Sequence, residues 1–167
     1  MRKKPELSLR ARALQYLARR EYSRAELRGK LLPHVQTGED FGLHSDSSGD
    51  SSGPVDLDAL LDDLTARGWL SDARAATQLL HAKRNRFGTQ RIAHDLRQKG
   101  IPEELVSAAL PALKESELEA ARGVWQRKFG TLPQDAGEKA RQMRFLQSRG
   151  FGFEVIFQVL RSKFNIE

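Results

Sequence analysis

Two segments of this chain carry the same punctuation 50 residues apart, and that repetition limits the fold more than any bulk property. Leu96-x-x-Lys99-Gly100-Ile101 returns as Leu146-x-x-Arg149-Gly150-Phe151, and Glu104-Leu105-Val106-x-x-Ala109-Leu110 returns in the same register as Glu154-Val155-Ile156-x-x-Val159-Leu160. Upstream, Arg86-Phe87-Gly88 precedes Lys128-Phe129-Gly130 by 42 positions, so eight residues enter the later copy around Thr131 to Glu138. Such an insertion in a connecting loop adds little closure entropy. A further copy lies on the N-terminal side, where Tyr22, Leu27 and Leu31 stand 65 positions before Phe87, Ile92 and Leu96. Leu60, Leu61 and Leu64 stand only 45 before Leu105, Val106 and Ala109, and the 20-residue excess matches a Ser/Asp/Gly-rich segment. The chain is therefore predicted to be all-α: three tandem three-helix repeats stacked into an elongated, slightly curved array, because one such unit buries too little surface alone. The boundaries follow as a basic tail at 1–8 and repeats at 9–70, 71–114 and 115–164, with a disordered insertion at 37–54.

Local signals place the helices. Ser8 can cap a first helix with Ala11, Leu14, Leu17 and Ala18 as its apolar stripe. Ser23-Arg24-Ala25-Glu26 is a capping box, Tyr22 can staple against Leu27, and Pro33 marks the end of that helix. Ser45 to Gly53 has no apolar residue and cannot offset its ordering entropy. Gly49-Asp50-Ser51-Ser52-Gly53 within it matches the nucleophile pattern G-x-S-x-G, but that pattern requires an apolar strand and a rigid turn, and neither is present. Asp56 caps a helix bearing Leu57, Leu60, Leu61 and Leu64; Gly68 ends it in the left-handed region with Trp69 packing behind. Ser71 caps a helix that stops near Phe87-Gly88, and Pro102 opens one carrying Leu105, Val106 and Leu113. Ser116-Glu117-Leu118-Glu119 reads as a second capping box, opening a separate helix to Phe129-Gly130. Asp135 starts the next, ending at Arg149-Gly150, and the last carries Val155, Ile156, Val159 and Leu160 before fraying near Asn165. Phe87, Trp69, Trp125 and Ile92 are read as core residues at helix junctions, not as base-stacking platforms.

Charge is distributed in blocks. Residues 2–30 hold ten Lys/Arg and three Glu, residues 31–66 hold eight Asp/Glu and no Lys/Arg, and residues 72–101 hold seven Lys/Arg against two Asp. Another acidic block at 103–119 is followed by nine Lys/Arg against four acids in 120–167. Cations clustered within repeated units point to a surface that meets a polyanion or an acidic protein groove. With no cysteine, neither disulfides nor thiolate metal sites are available. His81 and His94 lack metal-ligand spacing, the Asp56, Asp58, Asp62 and Asp63 group suits a helix start, and no Gly-rich phosphate loop or paired His/carboxylate site stands on a helical segment. A non-enzyme without cofactor is expected. Neither a signal-peptide core nor a membrane-length apolar run occurs, so a cytoplasmic monomer is expected.

Leu70-Ser71-Asp72, then Gly88-Thr89-Gln90-Arg91-Ile92-x-x-x-Leu96-x-x-Lys99-Gly100-Ile101, and finally Arg144-Phe145-Leu146-x-x-Arg149-Gly150-Phe151 resemble the RecX family, bacterial regulators of the RecA recombinase. The likeness runs from about Leu9 to Phe164, and the Ser/Asp/Gly insertion is its one departure. It implies an all-α protein that lodges in the groove of the RecA-DNA filament and limits filament extension, strand exchange, ATP turnover and SOS co-protease activity. Contact with single- and double-stranded DNA is expected to be weaker and electrostatic. The residues themselves leave two other readings open: a stand-alone DNA-binding protein with Gln90 to Lys99 in a groove, and an adaptor for another protein.

The candidate contacts are Arg84, Arg86, Arg91, Arg97 and Lys99, extended by Arg19, Arg20, Arg24, Arg141, Arg144 and Arg149 into one stripe along successive repeats.

Overall fold

The computed structural model describes residues 7–35 and 56–161, and every regular element among them is helical. The expected disordered insertion, its G-x-S-x-G match, most of the basic tail and the fraying end near Asn165 lie outside these residues. The chain forms two compact units, one through Ala75 and one from Ala76.

The first unit contains α1 (Leu9–Arg19), α2 (Arg24–Val35), α3 (Leu57–Ala66) and the opening turn of α4 (Asp72–Lys83). Short polar side chains start these helices by accepting from backbone donors that have no intrahelical partner. Ser8 Oγ accepts from Ala11 N at 3.2 Å, Ser23 Oγ from Glu26 N at 3.0 Å, and Asp56 from the N–H groups of Asp58 and Ala59. The helices enclose a core of Ala13, Tyr22, Leu27, Leu31, Leu61 and Leu64.

Three expectations are corrected here. Leu14 is 38% exposed, and α1 buries a rotated line of Leu9, Ala13, Tyr16 and Leu17, which brings Tyr16 edge-on to Tyr22 with ring centroids 5.7 Å apart. Pro33 lies inside α2, not at its end, and removes the backbone bond its N–H would have made there. Trp69 is 44% exposed, because the left-handed turn at Gly68 (φ 75°) sends Leu70 into the core in its place. Leu70 N donates back to Leu64 O at 3.2 Å, and Trp69 is left between the Arg10 and Arg67 guanidinium groups.

The second unit holds the rest of α4 with α5 (Thr89–Gln98), α6 (Glu103–Lys128), α7 (Ala136–Ser148) and α8 (Phe153–Arg161). α5, α7 and α8 all pack on α6. Around its C-terminal half lie Ala121, Val124, Trp125, Leu146, Phe151 and Ile156. The separate helix expected to open at Ser116 does not exist, since α6 continues for 26 residues. Ser116 Oγ donates to the carbonyls of Ala112 and Leu113 at 3.1 and 3.4 Å, the back-bonding of a mid-helix serine. Glu117 turns inward, and its Oε1 accepts from the backbone N–H of Thr89 at 3.2 Å and of Gly152 at 3.3 Å. One buried carboxylate thus serves the starts of two other helices, α5 and α8, where glycines 88 and 152 supply no side-chain cap.

The repeated glycines behave alike where the register is strict. Gly100 (φ 69°) and Gly150 (φ 87°) stop α5 and α7, and Ile101 and Phe151 then donate to the carbonyls of Leu96 and Leu146 at 3.1 and 3.3 Å. Gly88 is needed for a different reason. Its N–H donates to Arg149 O at 2.8 Å, and a Cβ there would overlap the Gly150 carbonyl, so the α4–α5 and α7–α8 turns cross with no room for a side chain. These crossing turns fix the positions of the cations around them.

Candidate functional site

In the first unit the cations of α1 and α2 meet the carboxylates of α3. Arg24 pairs with Asp62 at 2.7 Å, Arg28 with Asp58 at 3.3 Å, and Arg10 and Arg67 share Asp63 at 2.8 and 3.0 Å. The Arg10 hydrogen bond is the main cause holding the Asp63 carboxyl below its ordinary value; burial opposes it and Arg67 adds to it. Arg20 pairs with Glu26 at 2.9 Å while lying 3.6 Å from the Tyr22 ring centroid, and Arg74 pairs with Glu21 at 3.0 Å. Asp58, Asp62 and Asp63 on α3 are thus counter-charge to arginines of the N-terminal basic block. Of the sequence candidates in this unit, Arg20 and Arg24 are ion-paired, whereas Arg19 is exposed at the end of α1 with no ion pair among the described residues.

The second unit differs. Asp95 collects Lys83 and Arg91, and Arg97 grips Glu103 bidentately at 3.0 and 2.7 Å. That grip raises the Arg97 pKa and lowers that of Glu103 through the hydrogen bonds first and the charge attraction after them. Lys99 is half-buried at the C-terminus of α5. Arg84, Arg86, Arg141 and Arg144 are exposed and Arg149 is half-buried, and none of these five has a carboxylate partner among the described residues.

Aromatic rings take the place of carboxylates for Arg86, Arg141 and Arg149. Phe87, expected in the core, is only half-buried: Lys83, Arg86, Arg91 and Arg149 surround its ring at 5.2 to 5.7 Å from the centroid. Arg149 also lies 5.3 Å from Phe145, Lys128 lies 5.5 Å from the same ring, and Arg141 lies 5.8 Å from Phe129. Phe129 and Phe145 meet edge-on at 5.3 Å. Trp125 and Ile92 are buried as expected, and Trp125 Nε1 donates to buried Gln142 Oε1 at 2.8 Å. A ring quadrupole attracts a cation without cancelling its charge, so Arg86, Lys128, Arg141 and Arg149 stay available to an outside anion. Among the described residues no cluster of three His, Asp or Glu is placed to hold a metal ion, and no helix is long and apolar enough to cross a membrane.

The candidate contacts read from the sequence left out Lys83, Arg127 and Lys128. The repeat contained the signal for Lys128, which precedes Phe129 as Arg86 precedes Phe87. Ion pairing of Arg91 and Arg97 could also have been suspected from Asp95 at i+4 and Glu103 across the Gly100 turn.

Residues 71–110 match the model of the second three-helix domain of RecX, and residues 115–160 that of the third. A regulatory protein RecX from Leptothrix cholodnii is 49% identical over 158 residues, covering 95% of this chain and 90% of the relative. The one from Ralstonia pickettii is 37% identical over 154 residues, covering 92% and 87%. The crystal structure of RecX from Lactobacillus salivarius has the same fold, with a TM-score of 0.68 at 17% identity over 92% of this chain and 93% of that one. The chain belongs to the RecX family of regulatory proteins.

Proposed function

We propose that this protein restrains the RecA recombinase by entering the groove of the RecA-DNA filament, where it limits filament extension, strand exchange, ATP turnover and SOS co-protease activity. It acts as a cytoplasmic monomer, in three repeats at 9–70, 71–114 and 115–164. The observation that carries this reading is the set of arginines in the second unit held by rings and not by carboxylates, on a chain whose relatives are named regulatory proteins. A filament groove offers phosphates and acidic side chains together, and un-neutralised arginines serve both through paired N–H donors. Arg86 and Arg149 are the first residues assigned to it, with Arg84, Arg141 and Arg144 extending the contact. The ion pairs of Arg91 and Arg97 leave α5 poorly equipped to work alone as a recognition helix.

Titration against RecA on single-stranded DNA tests the reading, with ATP turnover and filament length as readouts. Turnover and length should both fall as the protein approaches one copy per groove site. No change in either at stoichiometric protein would end it. Binding to naked duplex as strong as binding to filament would favour the stand-alone DNA-binding alternative.

A further inference from the structure

A cleft of about 410 Å3 lies in the second unit between the α4–α5 turn, α6 and α7. Four cations line it: Arg86 from the turn, Arg127 and Lys128 from the end of α6, and Arg149 from the end of α7. Val124 and Phe145 supply its apolar surface. Arg127 Nη2 donates to the Asn85 carbonyl at 3.3 Å, which ties the turn to α6 and holds that guanidinium at the cleft. No carboxylate lines the cleft among the described residues. Arg86, Lys128 and Arg149 are each held by a phenylalanine ring and so keep their charge.

The chemistry asked of a ligand is specific: concentrated negative charge joined to a flat, partly apolar body. The volume sits at the small end of the roughly 300–1,000 Å3 range of ligand clefts. It has room for one nucleotide but not for a stacked base pair with both backbones. Beyond the cleft the pattern continues as a ladder of rings and cations, from Arg86 and Phe87 through Arg149, Phe145 and Phe129 to Arg141. On α7, Arg141, Phe145 and Arg149 share one face by their i, i+4, i+8 spacing. A ladder longer than one nucleotide suits a strand, and rings along a basic track are how unpaired bases are held without sequence preference.

We propose that this cleft seats one unstacked nucleotide of a single strand. The phosphate lies among Arg86, Arg127, Lys128 and Arg149, the base or sugar rests against Phe145 and Val124, and Arg141 receives a neighbouring phosphate. The proposal rests on the reading that the cationic face of the second unit is the functional one, and it adds selectivity for single strand over duplex. A duplex reaches the same cations but has no free base to place on Phe145.

The test uses the full chain with fluorescently labelled dT20 and a 20-base-pair duplex at one salt concentration, without recombinase. The single strand should bind about tenfold more tightly than the duplex, the range expected of one stacked base. Phe145→Leu keeps apolar volume but loses the ring, and should remove most of that preference while duplex affinity holds. Arg149→Gln is the second variant and should weaken the single strand several-fold, with helical circular dichroism unchanged in both. Equal affinity for strand and duplex, or an unchanged strand affinity in a folded Arg149→Gln, overturns the proposal. So does displacement of dT20 by polyglutamate at comparable charge concentration, which would give the cleft to an acidic protein, or by ATP with equal affinity, which would make it a free-nucleotide site. With recombinase absent, any of these failures leaves the filament titration above free to succeed or fail separately.

Discussion

The two units carry similar excesses of cation in their basic stretches, but more of the second unit's arginines go without a carboxylate. In the first, Arg10, Arg24 and Arg28 of α1 and α2 are met by Asp63, Asp62 and Asp58 on α3. In the second, arginines beside the turns are met by Phe87, Phe129 and Phe145. Exposed ion pairs contribute little to stability, roughly 0–1 kcal/mol each, and leave little field. Cations over rings contribute on a similar scale, about 0.5–1 kcal/mol, yet leave the field intact. The difference teaches that a count of arginines is a poor guide to a binding surface, and that the partner of each arginine decides.

The buried Glu117 carboxylate of the second unit sharpens this contrast, because it pairs with no cation among the described residues. Glu117→Ala would leave the buried Thr89 N–H and the half-buried Gly152 N–H without their acceptor. We expect a loss of about 1–3 kcal/mol in a urea titration, chiefly the cost of one buried donor without an acceptor. Glu117→Gln keeps an acceptor oxygen and should recover much of it. An alanine variant as stable as wild type would show that these two helix starts do not depend on the carboxylate.

A smaller effect, with the opposite sign for binding, is expected at Asp95. Asp95→Asn releases Lys83 and Arg91 to join the cations around Phe87. Affinity for a polyanion should rise by roughly threefold with a steeper salt dependence, because one more charge is available to phosphates. Unchanged affinity and slope would mean that the ion-paired state of these two cations is irrelevant to the surface.

The smallest effect concerns pH. Glu103 and Asp63 are held below the ordinary carboxylate range in the folded chain, so each contributes stability above that range and loses it as pH falls through it. Both groups are solvent-exposed, which screens the effect. Urea midpoints for wild type and Glu103→Gln should therefore differ slightly near neutrality and converge in acid. A gap that widened on acidification would contradict the assignment.

Much of the fold was legible because its signals are local. Ser23, Asp56 and Ser71 cap helices as their positions suggest, with Ser71 Oγ accepting from Arg74 N at 3.2 Å, and the shared stop at Gly100 and Gly150 follows from a backbone geometry that glycine adopts without penalty. Ser116-x-x-Glu119 satisfied the same local pattern and failed. Nothing within four residues reveals that Glu117 is wanted by two helices whose starts lie 28 and 35 positions away. Pro33 and Trp69 misled because a helix can carry a proline inside it and a left-handed turn changes which neighbour enters the core.

The candidate interface was less legible than the fold. That arginines mattered was readable from their clustering, but their sorting was not, because Arg24 and Arg28 find acids 38 and 30 positions away, whereas Arg149 finds rings at 62 and 4. Lys128 and Arg127 were not assigned as contacts, since they lie on a helix end whose neighbours are fixed only when α7 folds back on α6.

The central claim is that regulation depends on the cations held by rings and not on those held by carboxylates. It is tested most directly by titrating two double variants into RecA filaments on single-stranded DNA and measuring ATP turnover, with circular dichroism to check helicity. Arg86→Ala with Arg149→Ala should lose about tenfold or more in inhibitory potency, while Arg24→Ala with Arg28→Ala should stay within about twofold of wild type. Equal losses in the two variants, or a loss confined to the second, would contradict the account.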